Sequence, residues 1–238
     1  MTLHSAFQTT PRRTLLAALL MAGLAPAAMA QQAWPNKPVK FLVPFPAASA
    51  TDVIARTVGQ KLSDKWGQPV VIDNRPGAGG NLGTEVAAKS PNDGYTLLWG
   101  TVANAISATL YTKLGYDFRK DFTPITLVAK TPLVLVANKG VQANTLPQFI
   151  TFAKGSSDKV AYGSGGVGTS NHLAGEMFAT QTGAGMVHLP YKGTPAGYTD
   201  LVAGRVAVMF DNIVPAMPQI KSGQLKPLAV SSLKRSPA

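Results

Sequence analysis

Two stretches near the carboxyl end decide the fold: residues 190–196 read PYKGTPA and residues 206–212 read VAVMFDN. A short apolar strand at 186–189 stops before the first of these stretches, in which a glycine and a threonine begin a helix. A tight turn at 203–205 then leads into the second stretch, an apolar strand that ends at Asp211. This order predicts a βαβ unit whose loops face one side, where backbone N–H groups suit a small anion.

The chain upstream shows the same alternation of helices and strands. Ser49 and Asp52 form an S-x-x-D capping box, followed by apolar residues at every fourth position, and this pattern predicts an amphipathic helix. A second capping box, at Thr145 and Gln148, predicts another helix. Apolar runs bounded by turn residues predict strands at 40–45, 70–72, 95–99, 160–162 and 225–230. The pattern favours an α/β fold with mostly parallel sheets.

Residues 126–137 contain two strand-like runs separated by Lys130-Thr131-Pro132. We expect the chain to cross into a second lobe here. The alternation of strands and helices repeats beyond this point, so we expect the second lobe to be α/β as well. The sequence has no long internal repeat and no low-complexity segment.

Composition narrows the functional classes. The chain of 238 residues is 45% hydrophobic and 14% charged, which indicates a globular fold rather than disorder. It has no cysteine, which excludes disulfides, cysteine-based zinc sites and a thiol nucleophile. The net charge of +11 comes from dispersed lysines and arginines, without the basic and aromatic clusters that are typical of nucleic-acid binding. We therefore expect no nucleic-acid partner.

The first thirty residues have the features of a signal peptide. Arg12 and Arg13 precede the apolar run LLAALLMAGL at 15–24, and the small-residue site AMA at 28–30 predicts cleavage near Ala30. The apolar run is too short to span a bilayer. The two arginines fit a twin-arginine signal and an ordinary Sec signal equally well, but both predict export.

A glycine-rich loop at 163–168 satisfies G-x-G-x-x-G between a strand and a helix. A dinucleotide site would need an acidic residue about twenty positions further on, and no Asp or Glu lies between Glu176 and Asp200. We therefore predict no nucleotide cofactor. The loop is compatible with two other roles, a tight turn that needs glycines and a set of N–H donors for a carboxylate.

Catalytic and metal sites find little support in the sequence. Ser164, His172, His188 and Asp211 are the candidates for a serine hydrolase, but Tyr162 occupies the first glycine position of the G-x-S-x-G elbow. No histidine or carboxylate spacing matches a metal site. We predict no catalytic residue, metal or cofactor, with an exported hydrolase acting through Ser164 and His172 as the alternative. Asp211, at a strand end, fits a ligand contact and a helix cap equally well.

Long stretches of the chain resemble the Bug family, the TctC-type periplasmic substrate-binding proteins of tripartite tricarboxylate transporters. They are WPNKP at 34–38, VPFPAASATDVIAR at 43–56, GQPVVIDNRPGAGGNLGTEVAAKSPNDGYTLL at 67–98, YDFRKDFTPITLVA at 116–129 and LPYKGTPAGYTDLVAGRVAVMFDN at 189–212. The resemblance implies a periplasmic, monomeric protein with the two-lobed Venus-flytrap fold of type II periplasmic binding proteins. It further implies a small carboxylate ligand (a di- or tricarboxylate, amino acid or aromatic acid) and delivery to membrane permease subunits. The alternative for a protein of this family is a ligand receptor that acts on a sensor kinase rather than on a permease.

The resemblance also divides the chain and suggests its site. We expect a signal peptide at 1–30, a first lobe at 31–129, a second lobe at 130–228 and, at 229–238, the start of a crossover back to the first lobe, which is truncated because the family continues beyond this point. The residues expected to line the ligand site are Phe45, Ala48, Ser49, Thr51, Asp52, Thr101, Ser164, Gly165, Gly168, Thr169 and Asp211. One departure affects this site: Ala47-Ala48-Ser49 replaces the usual Pro-Gly-Gly, and the added Cβ atoms restrict positive φ and a close backbone approach.

Overall fold

Strands and helices alternate along the computed structural model, which describes residues 34–237. The strands are β1 (Val39–Val43), β2 (Val70–Asn74), β3 (Thr96–Leu98), β4 (Leu133–Asn138), β5 (Val160–Ser164), β6 (Met186–Pro190), β7 (Val208–Asn212) and β8 (Leu225–Val230). The helices are α1 (Ala50–Trp66), α2 (Asn81–Ala88), α3 (Val102–Leu110), α4 (Leu146–Gly155), α5 (Ser170–Thr182), α6 (Thr194–Val202) and α7 (Ile213–Lys221). The predicted signal peptide, residues 1–30, lies outside the described residues.

The first sheet has three parallel strands in the order β2-β1-β3. The central strand β1 is covered on both sides, which explains its almost continuous apolar sequence VKFLV. Ser49 caps α1 by accepting a hydrogen bond from the amide of Asp52, as the capping box predicts. The helix packs on the sheet through Ala55, which is fully buried with Val39 and Val43. We refer to this sheet with α1–α3 as the first lobe.

The second sheet has five strands in the order β6-β5-β7-β4-β8. Strands β6, β5 and β7 are parallel, whereas β4 is antiparallel to both of its neighbours. The βαβ unit predicted from residues 186–212 is present, but β5 lies between its two strands. We refer to this sheet with α4–α7 as the second lobe. Two apolar clusters cover its two faces, one around Phe149 and Tyr162 and the other around Leu201 and Met209.

The structure departs from the predicted elements between the two sheets. Residues 126–129 form no strand, so that prediction is wrong; Ile125 and Leu127 are 74% and 69% exposed, and no sheet edge covers this stretch among the described residues. Helix α3 was not predicted. Strand β8 matches the strand predicted at 225–230 and pairs with β4.

Both lobes belong to one compact unit, Lys37–Ala238, so the loops of the two sheets can be described together. Within residues 34–237, no helix combines the length and the apolarity that crossing a bilayer requires.

Candidate functional site

A cavity of about 300 Å³ lies where the carboxyl ends of the strands of both lobes meet, which is where open α/β sheets bind ligands. The first lobe contributes the loops after β1 and β2 and the residue that follows α3; the second lobe contributes the loops after β5 and β6. The lining residues are Phe45, Pro46, Pro76, Gly77, Ala78, Gly79, Gly80, Tyr111, Gly165, Gly166, Val167, Pro190, Tyr191 and Lys192. We call this space the interlobe cavity.

Direct contacts hold the two lobes together around the interlobe cavity. The Tyr111 hydroxyl donates to the carbonyl oxygen of Val167 at 3.4 Å. Gly79, with φ of 64°, faces the same carbonyl so closely that a Cβ would lie 2.3 Å from its oxygen. Gly193 likewise faces Pro46, whose Cγ would lie 2.2 Å from an added Cβ. Glycine is therefore required at both positions for the lobes to approach this closely.

Asp52 organises the loop after β1. Its carboxylate accepts hydrogen bonds from the Ala48 amide at 2.9 Å, from Arg56 Nε at 3.0 Å and from Asn74 Nδ2 at 2.9 Å. Asn74 also donates to the carbonyl of Phe45, at 2.9 Å. Burial opposes ionisation of Asp52, but the hydrogen bonds from Arg56, Asn74 and Ala48 outweigh it and lower the pKa. Asp52 thus lies behind the loop and positions Phe45 at the cavity wall.

Three hydroxyl residues of the predicted site cap helices. The side chains of Ser49, Thr101 and Thr169 accept hydrogen bonds from amides in the first turns of α1, α3 and α5, respectively. Ser49 and Thr169 are 5% and 2% exposed. None of the three lines the interlobe cavity. Their hydroxyls satisfy amides that the helix leaves without partners and fix the direction in which each loop enters its helix.

Ser164 anchors the loop after β5. Its side chain is fully buried; Oγ lies 2.6 Å from His188 Nε2 and accepts a hydrogen bond from the Gly166 amide at 3.0 Å. The His188 ring is stacked between the rings of Tyr162 and His172, at centroid distances of 5.0 and 4.1 Å. Burial lowers the pKa of His188 to about 4, and the electrostatic influence of the adjacent His172 ring acts in the same direction. His188 is therefore neutral at physiological pH and holds the serine in place.

This arrangement does not assemble a hydrolase site. The partner of Ser164 is His188 and not His172, whose Nδ1 accepts a hydrogen bond from the Gly168 amide at 3.3 Å. No hydrogen bond among the described residues joins a carboxylate to either imidazole ring; Glu176 instead accepts from the Tyr162 hydroxyl at 2.6 Å. A nucleophile needs access to substrate and a base oriented by a third group, and Ser164 has neither.

Asp211 lies behind the second-lobe loops. It is 1% exposed, and its Oδ1 accepts hydrogen bonds from Asn171 Nδ2 at 2.9 Å and from the Asn212 amide at 2.8 Å. Burial raises the pKa of Asp211 to about 6, although hydrogen bonding from the Asn212 amide and from the side chains of Tyr198, Thr194 and Asn171 opposes this. Asn171 also lies against Gly165, so Asp211 supports the cavity wall from one layer behind it.

Of the eleven residues predicted to line the site, Phe45 and Gly165 line the interlobe cavity. The nine others are not among the lining residues: Ala48, Ser49, Thr51, Asp52, Thr101, Ser164, Gly168, Thr169 and Asp211. Sequence reasoning missed three contributors: the glycine-rich loop 76–80, Tyr111, and residues 190–192. The first and third lie in motifs that stand out in the sequence, PGAGG and PYKG. Nothing in the sequence singles out Tyr111.

The chemistry available to a ligand is mainly that of the backbone. No hydrogen bond among the described residues uses the amides of Gly165 or Val167 as donors, so both remain available to an acceptor. Phe45, Tyr111 and Tyr191 offer ring surfaces. Within residues 34–237, no group of three or more histidine and acidic side chains is placed to hold a metal ion. The arrangement suits a small ligand with an anionic end and an apolar body.

Comparisons with known proteins agree with this geometry. The family model described as tripartite tricarboxylate transporter family receptor, TctC, matches residues 54–238. BugT of Bordetella pertussis (strain Tohama I) is 38% identical over 217 residues, which are 90% of this chain and 66% of BugT. R. palustris Rpa4515 with adipate has a TM-score of 0.81 and 38% identity, covering 85% of this chain and 68% of its own. The periplasmic binding protein BugD has a TM-score of 0.81 and 34% identity, covering 86% of this chain and 68% of its own.

These likenesses confirm the predicted periplasmic-binding-protein fold. The chain spans about two thirds of the length of these relatives.

Proposed function

Because the chain belongs to the tripartite tricarboxylate transporter receptor family, we propose that it is an extracytoplasmic receptor that binds a small carboxylate in the interlobe cavity. The observation that carries this proposal is the cavity of about 300 Å³ at the carboxyl ends of both sheets, with unused amides at Gly165 and Val167. The adipate held by the related Rpa4515 supports a carboxylate as the ligand class.

The binding step follows from the contacts between the lobes. A carboxylate that accepts hydrogen bonds from Gly165 and Val167 binds the second lobe, and its apolar part then packs against Phe45 and Tyr111 of the first. Closure brings Tyr111 into hydrogen-bonding contact with Val167 and excludes water from the ligand. Charge-assisted hydrogen bonds are stronger in such an enclosed site than in water.

The receptor role fits the site better than an enzymatic role. The related proteins are solute receptors, and the buried Ser164 has no substrate access and no carboxylate-oriented base. We propose further that the protein acts in the periplasm and passes its ligand to the membrane permease of a tripartite tricarboxylate transporter. Its family membership and the signal-peptide pattern of residues 1–30 support this assignment.

A ligand screen tests the proposal. Calorimetry and thermal unfolding are measured with mono-, di- and tricarboxylates, amino acids and aromatic acids, with the uncharged amide of each compound as the matched control. A ligand at a hundred times its Kd should stabilise the folded protein by about 2.7 kcal/mol. The ligand should be recovered unchanged, as NMR spectra before and after incubation would show. Absence of binding by every carboxylate at millimolar concentration, or turnover of the bound compound, contradicts the proposal.

A permease-dependent uptake assay tests the transport step. Uptake of the identified carboxylate should fall to background when the gene for this protein is deleted, and it should also fall when the permease genes are deleted. Uptake that survives loss of the permease, together with a transcriptional response that depends on the receptor, would favour the sensor alternative.

A further inference from the structure

Lys192 differs from every other residue of the interlobe cavity. Among the described residues that line it, Lys192 alone has a basic side chain; the rest are apolar, aromatic or glycine. Its side chain is exposed, and no ion pair within residues 34–237 includes it. A cation at the rim of an otherwise apolar cavity attracts anions and remains free to pair with one.

The backbone on both sides of Lys192 is fixed. The Tyr191 amide donates to the carbonyl of Ser164 at 3.1 Å, and the Tyr191 hydroxyl donates to Asp200 at 2.7 Å. On the other side, Gly193 is buried against Pro46 of the first lobe. The lysine therefore projects from a rigid base, while its four-carbon stem lets the ammonium group adjust to a ligand.

The positions of the remaining donors set where a first carboxylate binds. The unused amides of Gly165 and Val167 follow β5, whereas Lys192 follows the neighbouring strand β6. The rings of Phe45 and Tyr111 form the first-lobe side of the same cavity. A ligand with one carboxylate at the amides and an apolar middle against these rings would present its far end to Lys192.

From this arrangement we infer that Lys192 recognises a second negative charge on the ligand and makes the receptor selective for dianions over monoanions of the same length. This inference rests on the proposed function, because it concerns the ligand of the same cavity. Only the Lys192 side chain then distinguishes the two kinds of ligand, because the backbone amides bind the one carboxylate that dianions and monoanions have in common.

The test measures the affinity of length-matched dicarboxylates and monocarboxylates for the wild type, for a Lys192 variant and for a control variant. Straight-chain α,ω-dicarboxylates of four to eight carbons, adipate among them, are titrated against the monocarboxylates of equal length. The variants are Lys192→Gln and, as control, Lys159→Gln, which removes the same charge from an exposed position at the opposite end of β5. Because Lys192 is exposed and makes no hydrogen bond to another described residue, Lys192→Gln should unfold at the same temperature as the wild type.

We expect Lys192→Gln to weaken binding of the best diacid by about tenfold to a hundredfold, and binding of the matching monoacid by less than about twofold. Lys192→Arg should retain most of the preference for diacids, and Lys159→Gln all of it. The preference of the wild type should also decrease with added salt. Equal losses for diacid and monoacid, or no loss for either, overturn the inference.

The outcome separates this inference from the proposed function. A wild-type protein that binds monoacids and diacids of equal length equally well overturns the role of Lys192 and leaves the receptor role standing. A protein that binds no carboxylate at all overturns the proposed function and, with it, this inference.

Discussion

Replacement of Gly79 by alanine should prevent the two lobes from closing. In the structure Gly79 has φ of 64°, and an added Cβ would lie 2.3 Å from the carbonyl oxygen of Val167 in the second lobe. Real Cβ atoms essentially never approach another atom within 3.0 Å, and ordinary contact begins at 3.4 Å. The lobes must therefore separate at this point by about 1 Å, the difference between 2.3 and 3.4 Å.

The effect on binding can be worked out from the contacts that this separation breaks. A carboxylate bound to the amides of Gly165 and Val167 stays on the second lobe, but the apolar part of the ligand loses its packing against Phe45 and Tyr111 of the first lobe. The hydrogen bond from the Tyr111 hydroxyl to the Val167 carbonyl is also lost. Burial of an apolar group the size of a side chain contributes about 1.5–3 kcal/mol and a hydrogen bond about 0.5–1.5 kcal/mol, so the Kd should rise roughly thirtyfold or more. Folding stability should fall by only about 1 kcal/mol, the cost of a left-handed alanine.

Gly67→Ala is the matched control. Gly67 has nearly the same backbone conformation, with φ of 65°, but nothing lies within 4 Å of the Cβ that alanine would add. Both variants carry the same backbone strain, and only Gly79→Ala adds the contact between the lobes. Denaturant unfolding measures the first effect, and calorimetry with the ligand of the wild type measures the second. Wild-type affinity in Gly79→Ala, or equal losses of affinity in both variants, would refute the reasoning.

Two further predictions concern residues around the site. Ala48 has φ of 64°, a conformation that glycine adopts more easily, so Ala48→Gly should raise the free energy of unfolding by about 0.5–1 kcal/mol. Ala55→Gly, inside α1, should instead lower it by about 1 kcal/mol. Denaturant unfolding of both variants measures these opposite changes. The pKa of Asp211 is raised from 3.8 to about 6, so between these values the folded protein holds a proton that the unfolded chain has released. The free energy of unfolding of the wild type should therefore fall as pH rises from about 4 to above 6, by up to about 3 kcal/mol relative to Asp211→Asn. Urea unfolding at a series of pH values measures both proteins, and parallel pH profiles would contradict this prediction.

The helices that begin with a cap could be predicted from the sequence because their signals are local. Ser49 and Thr145 each accept a hydrogen bond from the amide three residues further on, as the capping boxes predict. The apolar runs at 40–45 and 225–230 likewise correspond to β1 and β8. These elements depend on residues within a few positions of one another, and for that reason short-range patterns suffice.

Strand order could not be predicted because it depends on distant residues. The pattern of residues 186–212 gives a strand, a helix and a strand, but not the insertion of β5 between the two strands. The same limit explains the wrong strand at 126–129: the run is apolar, but no described strand pairs with it. An apolar run becomes a strand only when a neighbouring strand satisfies its backbone groups.

Most of the predicted site residues lie at the same edge of the sheets as the interlobe cavity but do not line it, because helix capping and ligand binding draw on the same chemistry at the same place. A parallel strand that leads into a helix puts Ser or Thr where its hydroxyl can serve either the helix amides or a ligand. In this protein Ser49, Thr101 and Thr169 serve their helices. What the helices do not use is left for a ligand, namely the amides of Gly165 and Val167 and the charge of Lys192. Substitution of the capping residues should therefore change folding stability far more than ligand preference, whereas substitution of Lys192 should change mainly ligand preference.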